Sequence, residues 1–167
     1  MNITDDTLVR WHVAHTRPRC EKKVADYCER ESLEVSLPLY RSVKKYLRKA
    51  VEFRKPLFPG YVFFRADRRD AARVRLQDQV AQVLMPPDEA EFSAQLEDIL
   101  RALTTDREIR LAPQIRSGMR VKITSGPLRG LEGIVERRSG VLEICLRLDF
   151  IGECAAVRVT ADEVEPI

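Results

Sequence analysis

The sequence predicts an α+β protein in two parts. An N-terminal α/β sandwich, with a mixed, mainly antiparallel sheet and flanking helices, precedes a small C-terminal antiparallel β-barrel. Three observations carry this. Over roughly the first hundred residues, short aromatic and β-branched runs alternate with helical periodicity, the order of a sheet with helices packed on it. One of those runs, Tyr61-Val62-Phe63-Phe64, is apolar on both faces and follows the rigid entry Pro59-Gly60. Beyond residue 117 helical periodicity stops, and short alternating strands with glycine turns follow to the C-terminus. The expected boundaries are 1–106 for the first domain, 107–117 for a linker and 118–167 for the barrel.

In order, Leu8 to Ala14 reads as the first strand. Thr16 is a candidate cap for a helix running to about Ser32, with Pro18 in its first turn and Cys20, Val24, Tyr27 and Cys28 on one stripe. Leu33 to Tyr40 reads as a strand that Pro38 makes an edge or irregular one. Arg41 to Lys55 then carries seven lysines and arginines against one acid, Glu52, and reads as a protruding hairpin or loop. Such a cluster is either a solvated loop or a contact for nucleic-acid phosphates, because binding there releases condensed counterions.

Tyr61 and Phe63 share one strand face, Val62 and Phe64 the other. Both faces need cover: either two helix layers supply it, or another protein covers one of them. Asp67 can cap a short helix over Arg68 to about Gln77, and Val80 to Met85 is a strand ended by Pro86-Pro87. Asp88 and Glu91 form a capping-box pattern before Phe92, Leu96, Ile99, Leu100 and Leu103, which recur at helical spacing. Thr104 to Ser117 lacks periodicity and suits a linker. In the last segment, Met119 to Thr124, Leu131 to Arg137, Val141 to Asp149 and Ala155 to Thr160 read as strands, with turns at 125–130 and at Ser139-Gly140.

Composition narrows the function classes. Hydrophobic residues at 44% with 33% charged describe a soluble globular chain, and no apolar run approaches the ~20 residues of a membrane span. The N-terminus shows no signal-peptide apolar core, so a cytoplasmic monomer is expected. The net charge of +3 is modest and not evenly spread along the chain. The four cysteines form no C-x-x-C pair; Cys20 and Cys28 on one helix would lie about 12 Å apart, and all four are expected to be reduced thiols. His12, His15 and Cys20 do not make a metal site, since strand residues 12 and 15 point to opposite faces. No Walker loop, nucleophile elbow or paired carboxylate set is present, so no enzymatic activity and no cofactor are expected.

Two motifs resemble a known family. Trp11-His-Val-Ala-His15-Thr16-Arg17 with Leu57-Phe-Pro-Gly-Tyr-Val-Phe63 is similar to the N-terminal domain of NusG-type transcription elongation factors. Gly118-Met-Arg-Val-Lys-Ile-Thr-Ser-Gly126-Pro-Leu-Arg-Gly130-Leu-Glu-Gly133-Ile-Val-Glu136 resembles their KOW motif, with Val121, Ile123, Gly126, Gly130 and Gly133 at its key positions. The length and the long basic hairpin are similar to RfaH-like specialised members. The resemblance implies an elongation or antitermination factor bound to RNA polymerase across the largest subunit's clamp helices and the second subunit's gate loop. It implies clamp contacts at His15, Tyr61, Phe63 and Met85, with the gate loop near Asp70, Ala72 and Arg73. Arg17, Arg19, Lys22 and Lys23, with Lys44, Lys45, Arg48 and Lys49 of the hairpin, would meet nucleic acid, the non-template DNA among it.

The KOW domain of the family contacts the termination factor Rho or a small-subunit ribosomal protein; Ile151-Gly-Glu-Cys-Ala-Ala-Val-Arg158 departs from the family pattern there. In some specialised members this domain folds as a helical hairpin against the first. Here Leu142, Ile144, Leu146 and Leu148 alternate with period two, so a free, flexibly linked β-barrel is expected. The alternative function is a ribosome-associated or RNA-binding KOW protein that uses barrel and hairpin directly.

Overall fold

The computed structural model describes residues 6–105, 107–113, 118–138 and 141–167. The elements are β1 (Arg10–Thr16), α1 (Glu21–Arg30), β2 (Glu34–Ser36), β3 (Leu39–Tyr46), β4 (Lys49–Pro56), β5 (Tyr61–Ala66), α2 (Arg68–Arg75), β6 (Val80–Leu84), α3 (Glu89–Leu103), β7 (Ile109–Pro113), β8 (Met119–Ile123), β9 (Glu132–Arg138), β10 (Val141–Leu148), β11 (Glu153–Arg158) and β12 (Val164–Pro166). None of the described helices is long and apolar enough to cross a membrane. They form two compact units, the first made of residues up to Pro38 with Phe58–Glu89, the second of Leu39–Leu57 with Ala90–Ile167.

In the first unit a four-stranded sheet has the order β2-β5-β1-β6, and every pairing is antiparallel. One face carries Ala14, Val62, Phe64 and Ala66 against Val24, Ala25 and Cys28 of α1 and Ala71 and Val74 of α2. Burial there pushes the Cys28 thiol up to about 11, so it is a small apolar core group. Asp67 caps α2 as expected, its Oδ1 accepting the Asp70 N–H at 2.8 Å. Thr16 does not cap α1. It ends β1, where its N–H donates to the Gly60 carbonyl at 2.8 Å, and Arg19 at φ 62° turns the chain before the helix opens at Glu21.

The second unit holds the β3–β4 ribbon, α3 and a six-stranded antiparallel sheet of order β12-β8-β9-β10-β11-β7. Residues 109–113, assigned to the linker from sequence, are strand β7, paired with β11 from Ile109↔Val157 to Glu153↔Pro113. Pairing with the β11 edge decides this where periodicity was too short to show it. Residues 114–117 and the Ser139-Gly140 turn lie outside the described residues. Leu142 to Leu148 is strand, in keeping with its period-two pattern. The sheet is not freely linked to what precedes it. Gln95 of α3 donates to Asp149 Oδ2 at 2.6 Å and accepts the Asp149 N–H at 3.0 Å, and Phe92 packs edge-on against Phe150. Arg101 donates to the Arg129 carbonyl at 2.8 Å.

Cys145 and Cys154 form a disulfide with their Cα atoms 5.8 Å apart, a correction to the expectation of four reduced thiols. Cys145 lies opposite Ala156 in the β10–β11 ladder, and Cys154 is two residues further along the same face. That diagonal proximity comes from pairing and leaves no trace in cysteine spacing. At Gly133 a Cβ would fall 2.7 Å from the Cys145 carbonyl oxygen, so glycine is required by the close approach of β9 to β10.

The two edges of the sheet order meet at a bidentate ion pair, Arg107 before β7 and Glu163 before β12. Glu163 also accepts the Thr160 N–H at 2.9 Å and is largely buried. The hydrogen bond from Arg107 is the main cause that holds its carboxyl down to about 2. A folded value below the unfolded one means stabilisation that is complete above about pH 5 and lost as pH falls through the folded value. Glu163→Gln should therefore reduce stability at neutral pH by about 1–3 kcal/mol and flatten the acid limb between about pH 5 and 2. Urea unfolding as a function of pH measures both; an unchanged acid limb would exclude the pair as its source.

Candidate partner and nucleic-acid interface

Antiparallel pairing of β1 with β5 puts His15 directly opposite Tyr61, and their rings stack with centroids 5.1 Å apart and planes 15° apart. His15 is exposed and Tyr61 half-buried, so the pair forms an aromatic surface at the end of the two central strands. The turn before it is held from two sides. Gly60, at φ 86°, accepts from the Thr16 N–H and donates its own N–H to Glu21 Oε1 at 2.9 Å. Glu21 is buried in the first turn of α1, where a carboxylate suits both the helix N-terminus and that donor. Sequence reasoning missed Glu21. An acid beginning the buried stripe of a helix was the available signal.

Phe63 departs from expectation. It shares the strand face of Tyr61, as alternation requires, but it is fully buried and packs edge-on against Phe58 at 6.1 Å between ring centroids. Its ladder neighbours Val13 and Ser36 flank it on both sides, so it belongs to the core beneath the surface pair. Met85 is half exposed but lines a different cavity, with Leu8, Arg10, His12 and Ala71. The four expected clamp residues thus divide: His15 and Tyr61 together, Phe63 under them, Met85 elsewhere.

His12 and His15 lie on opposite faces. His12 is buried, stacked on Phe64 at 5.4 Å, with Nδ1 2.9 Å from the Arg10 carbonyl. Burial is the main cause that lowers its pKa from the ordinary histidine value, so it is a neutral core group.

Arg17, Arg19, Lys22 and Lys23 are all exposed and follow His15 through the β1–α1 turn into the first helical turn. On α2, Ala72 and Arg73 are exposed, while Asp70 is half-buried and its N–H is held by the Asp67 cap. Lys44, Lys45, Arg48 and Lys49 are exposed at the far end of the β3–β4 ribbon. In the C-terminal sheet Val121 and Ile123 are buried, and Gly126 and Gly130 lie in the following turn at positive φ. Val121 and Ile123 thus build the sheet's core, while Gly126 and Gly130 shape an exposed turn. Of the divergent segment 151–158, residues 154–157 are buried in β11, which leaves the Gly152 turn and Arg158 to face outward.

The family model described as transcription termination factor nusG matches residues 9–101, more than half of the chain. No curated protein matches. Among solved structures the chain is similar to Thermotoga maritima NusG, in a structure described as showing domain interaction in that protein. The two share 22% identity over 96% of this chain and 98% of the other, with a TM-score of 0.56, a likeness of fold.

Proposed function

The chain belongs to the NusG family of transcription elongation and termination factors, and from that premise we propose that it binds RNA polymerase through the His15–Tyr61 surface and suppresses pausing or termination. The observation that carries this reading is the stacked ring pair, exposed at His15 and half-buried at Tyr61, next to a turn fixed by the Glu21–Gly60 hydrogen bond. Aromatic surfaces on rigid strands are efficient anchors, because little side-chain entropy remains to be lost on docking. In this reading the pair meets the clamp helices of the largest subunit, and Ala72 and Arg73, with Asp70 beside them, meet the gate loop of the second subunit. Bridging the two holds the clamp closed around nucleic acid by binding energy alone. The C-terminal sheet then recruits a further partner, Rho or a small-subunit ribosomal protein, through its outward turns.

Arg17, Arg19, Lys22 and Lys23 continue the same surface and fit non-template DNA, whose phosphates they would neutralise. Replacing all four with Gln should reduce antipausing activity and lower the salt slope of DNA binding by as much as about 3–4 log units per log unit of salt. Polymerase affinity measured without exposed single strand should change little. Crosslinking of the quadruple variant to non-template DNA at the wild-type level would remove this patch from the account.

A further inference from the structure

We propose that Cys145 and Cys154 form a redox switch: a dithiol opens their bond by exchange at Cys145, which loosens the hold of the β10–β11 turn on α3. The bond links residues nine apart and so closes the turn between the two strands into a small ring. Asp149 and Phe150, at the tip of that ring, are the residues that hold α3. Asp149 makes both hydrogen bonds to Gln95, and Phe150 meets the Phe92 ring edge-on. Arg147, inside the same ring, steadies Asp149 by donating from Nε to Oδ1 at 2.9 Å. The bond and the grip on the helix therefore belong to one loop.

The two sulfurs differ in access. Cys154 is fully buried, whereas Cys145 lines a cavity of about 380 Å³ between α3 and the sheet, beside Gln95 and Ile134. A thiolate entering there attacks the Cys145 sulfur, the S–S bond breaks, and its electron pair leaves on Cys154. Clustered with Ala112, Ile134 and Ala156, Cys154 takes up a proton and settles as a neutral thiol, the form that apolar surroundings favour. The dithiol's second thiol then attacks the dithiol's own sulfur in the mixed disulfide. That forms a cyclic disulfide and releases Cys145, which takes the second proton. Two electrons and two protons pass from dithiol to protein.

The ladder separates a switch from a structural staple. Strands β10 and β11 pair continuously from Glu143↔Arg158 to Leu148↔Glu153, on both sides of the bonded residues. Backbone pairing therefore holds the strands together when the bond opens, and the change falls on the turn beyond Leu148. A disulfide in a compartment where thiols are kept reduced is typically transient or redox-sensing. That a reducing dithiol meets this chain rests on the transcriptional reading above. The bond, its cavity and the turn do not depend on that reading.

The test uses the purified full-length chain without polymerase, so that its failure is separate from failure of the polymerase contact. The chain is first oxidised with glutathione disulfide, then treated with dithiothreitol in native buffer, quenched in acid and alkylated in denaturant. Mass spectrometry should find label on Cys20 and Cys28 alone before dithiothreitol and on all four cysteines after it. Returning the chain to glutathione disulfide should restore the first pattern. Over the same change, amide hydrogen exchange at 149–152 and across α3 should quicken about ten- to a hundredfold, while β1 and β5 stay as they were. Joint Cys145→Ala and Cys154→Ala substitution should give the fast exchange with or without dithiothreitol, and Cys20→Ser should respond like the unsubstituted chain. Four labelled cysteines at the outset, a bond that opens only in denaturant, exchange unmoved by its opening, or a response that persists in the double variant would each overturn the switch.

Discussion

Phe63→Ala should lower the unfolding free energy of the first unit by about 3–5 kcal/mol, the usual loss for truncating a fully buried phenylalanine. The ring has no accessible surface and packs edge-on against Phe58, so its removal leaves a cavity that neighbouring strands cannot close by moving alone. Set against typical domain stabilities of about 5–15 kcal/mol, this is a large fraction. The protein has one tryptophan, Trp11 in β1, so its fluorescence reports denaturant unfolding of this unit specifically. A loss under about 1 kcal/mol would return Phe63 to the surface and to a direct role in partner binding.

Tyr61→Ala should behave in the opposite way. Its ring is half-buried and stacked on an exposed histidine, so the midpoint of the Trp11 transition should shift little. Polymerase binding should weaken by about 1–4 kcal/mol, the range for an aromatic anchor at an interface. His15→Ala should act through the same surface, and the two effects should fall short of additive because each ring orients the other. Tyr61→Phe retains the stack and should retain most of the affinity. Comparing Phe63→Ala with Tyr61→Ala separates two neighbours on one strand face by what each one breaks.

The legible parts of the sequence were those set by local pattern. Period-two alternation in 142–148, the Asp67 cap and the basic ribbon over 41–55 all need only near neighbours, and all three appear in the structure. Tyr61 and Phe63 were correctly placed on one face, but alternation says nothing of depth. The sheet gives Phe63 neighbours on both sides and leaves Tyr61 at the strand end. The remaining departures are all long-range. Strand β7 exists because β11 offers an edge, the Cys145–Cys154 bond because two strands pair in one register, and the Glu21–Gly60 hydrogen bond because residues 39 apart meet. Contacts between distant segments carry no periodic signal, and the site's supporting residues are of this kind.

The measurement that bears most directly on the central claim is equilibrium binding of the full-length chain to purified core RNA polymerase, with Tyr61→Ala and His15→Ala run beside the unsubstituted protein. The account predicts a stable complex that either substitution weakens about five- to a thousandfold, with the Trp11 unfolding transition unchanged. No complex, or a complex of the same affinity with both rings removed, would contradict it.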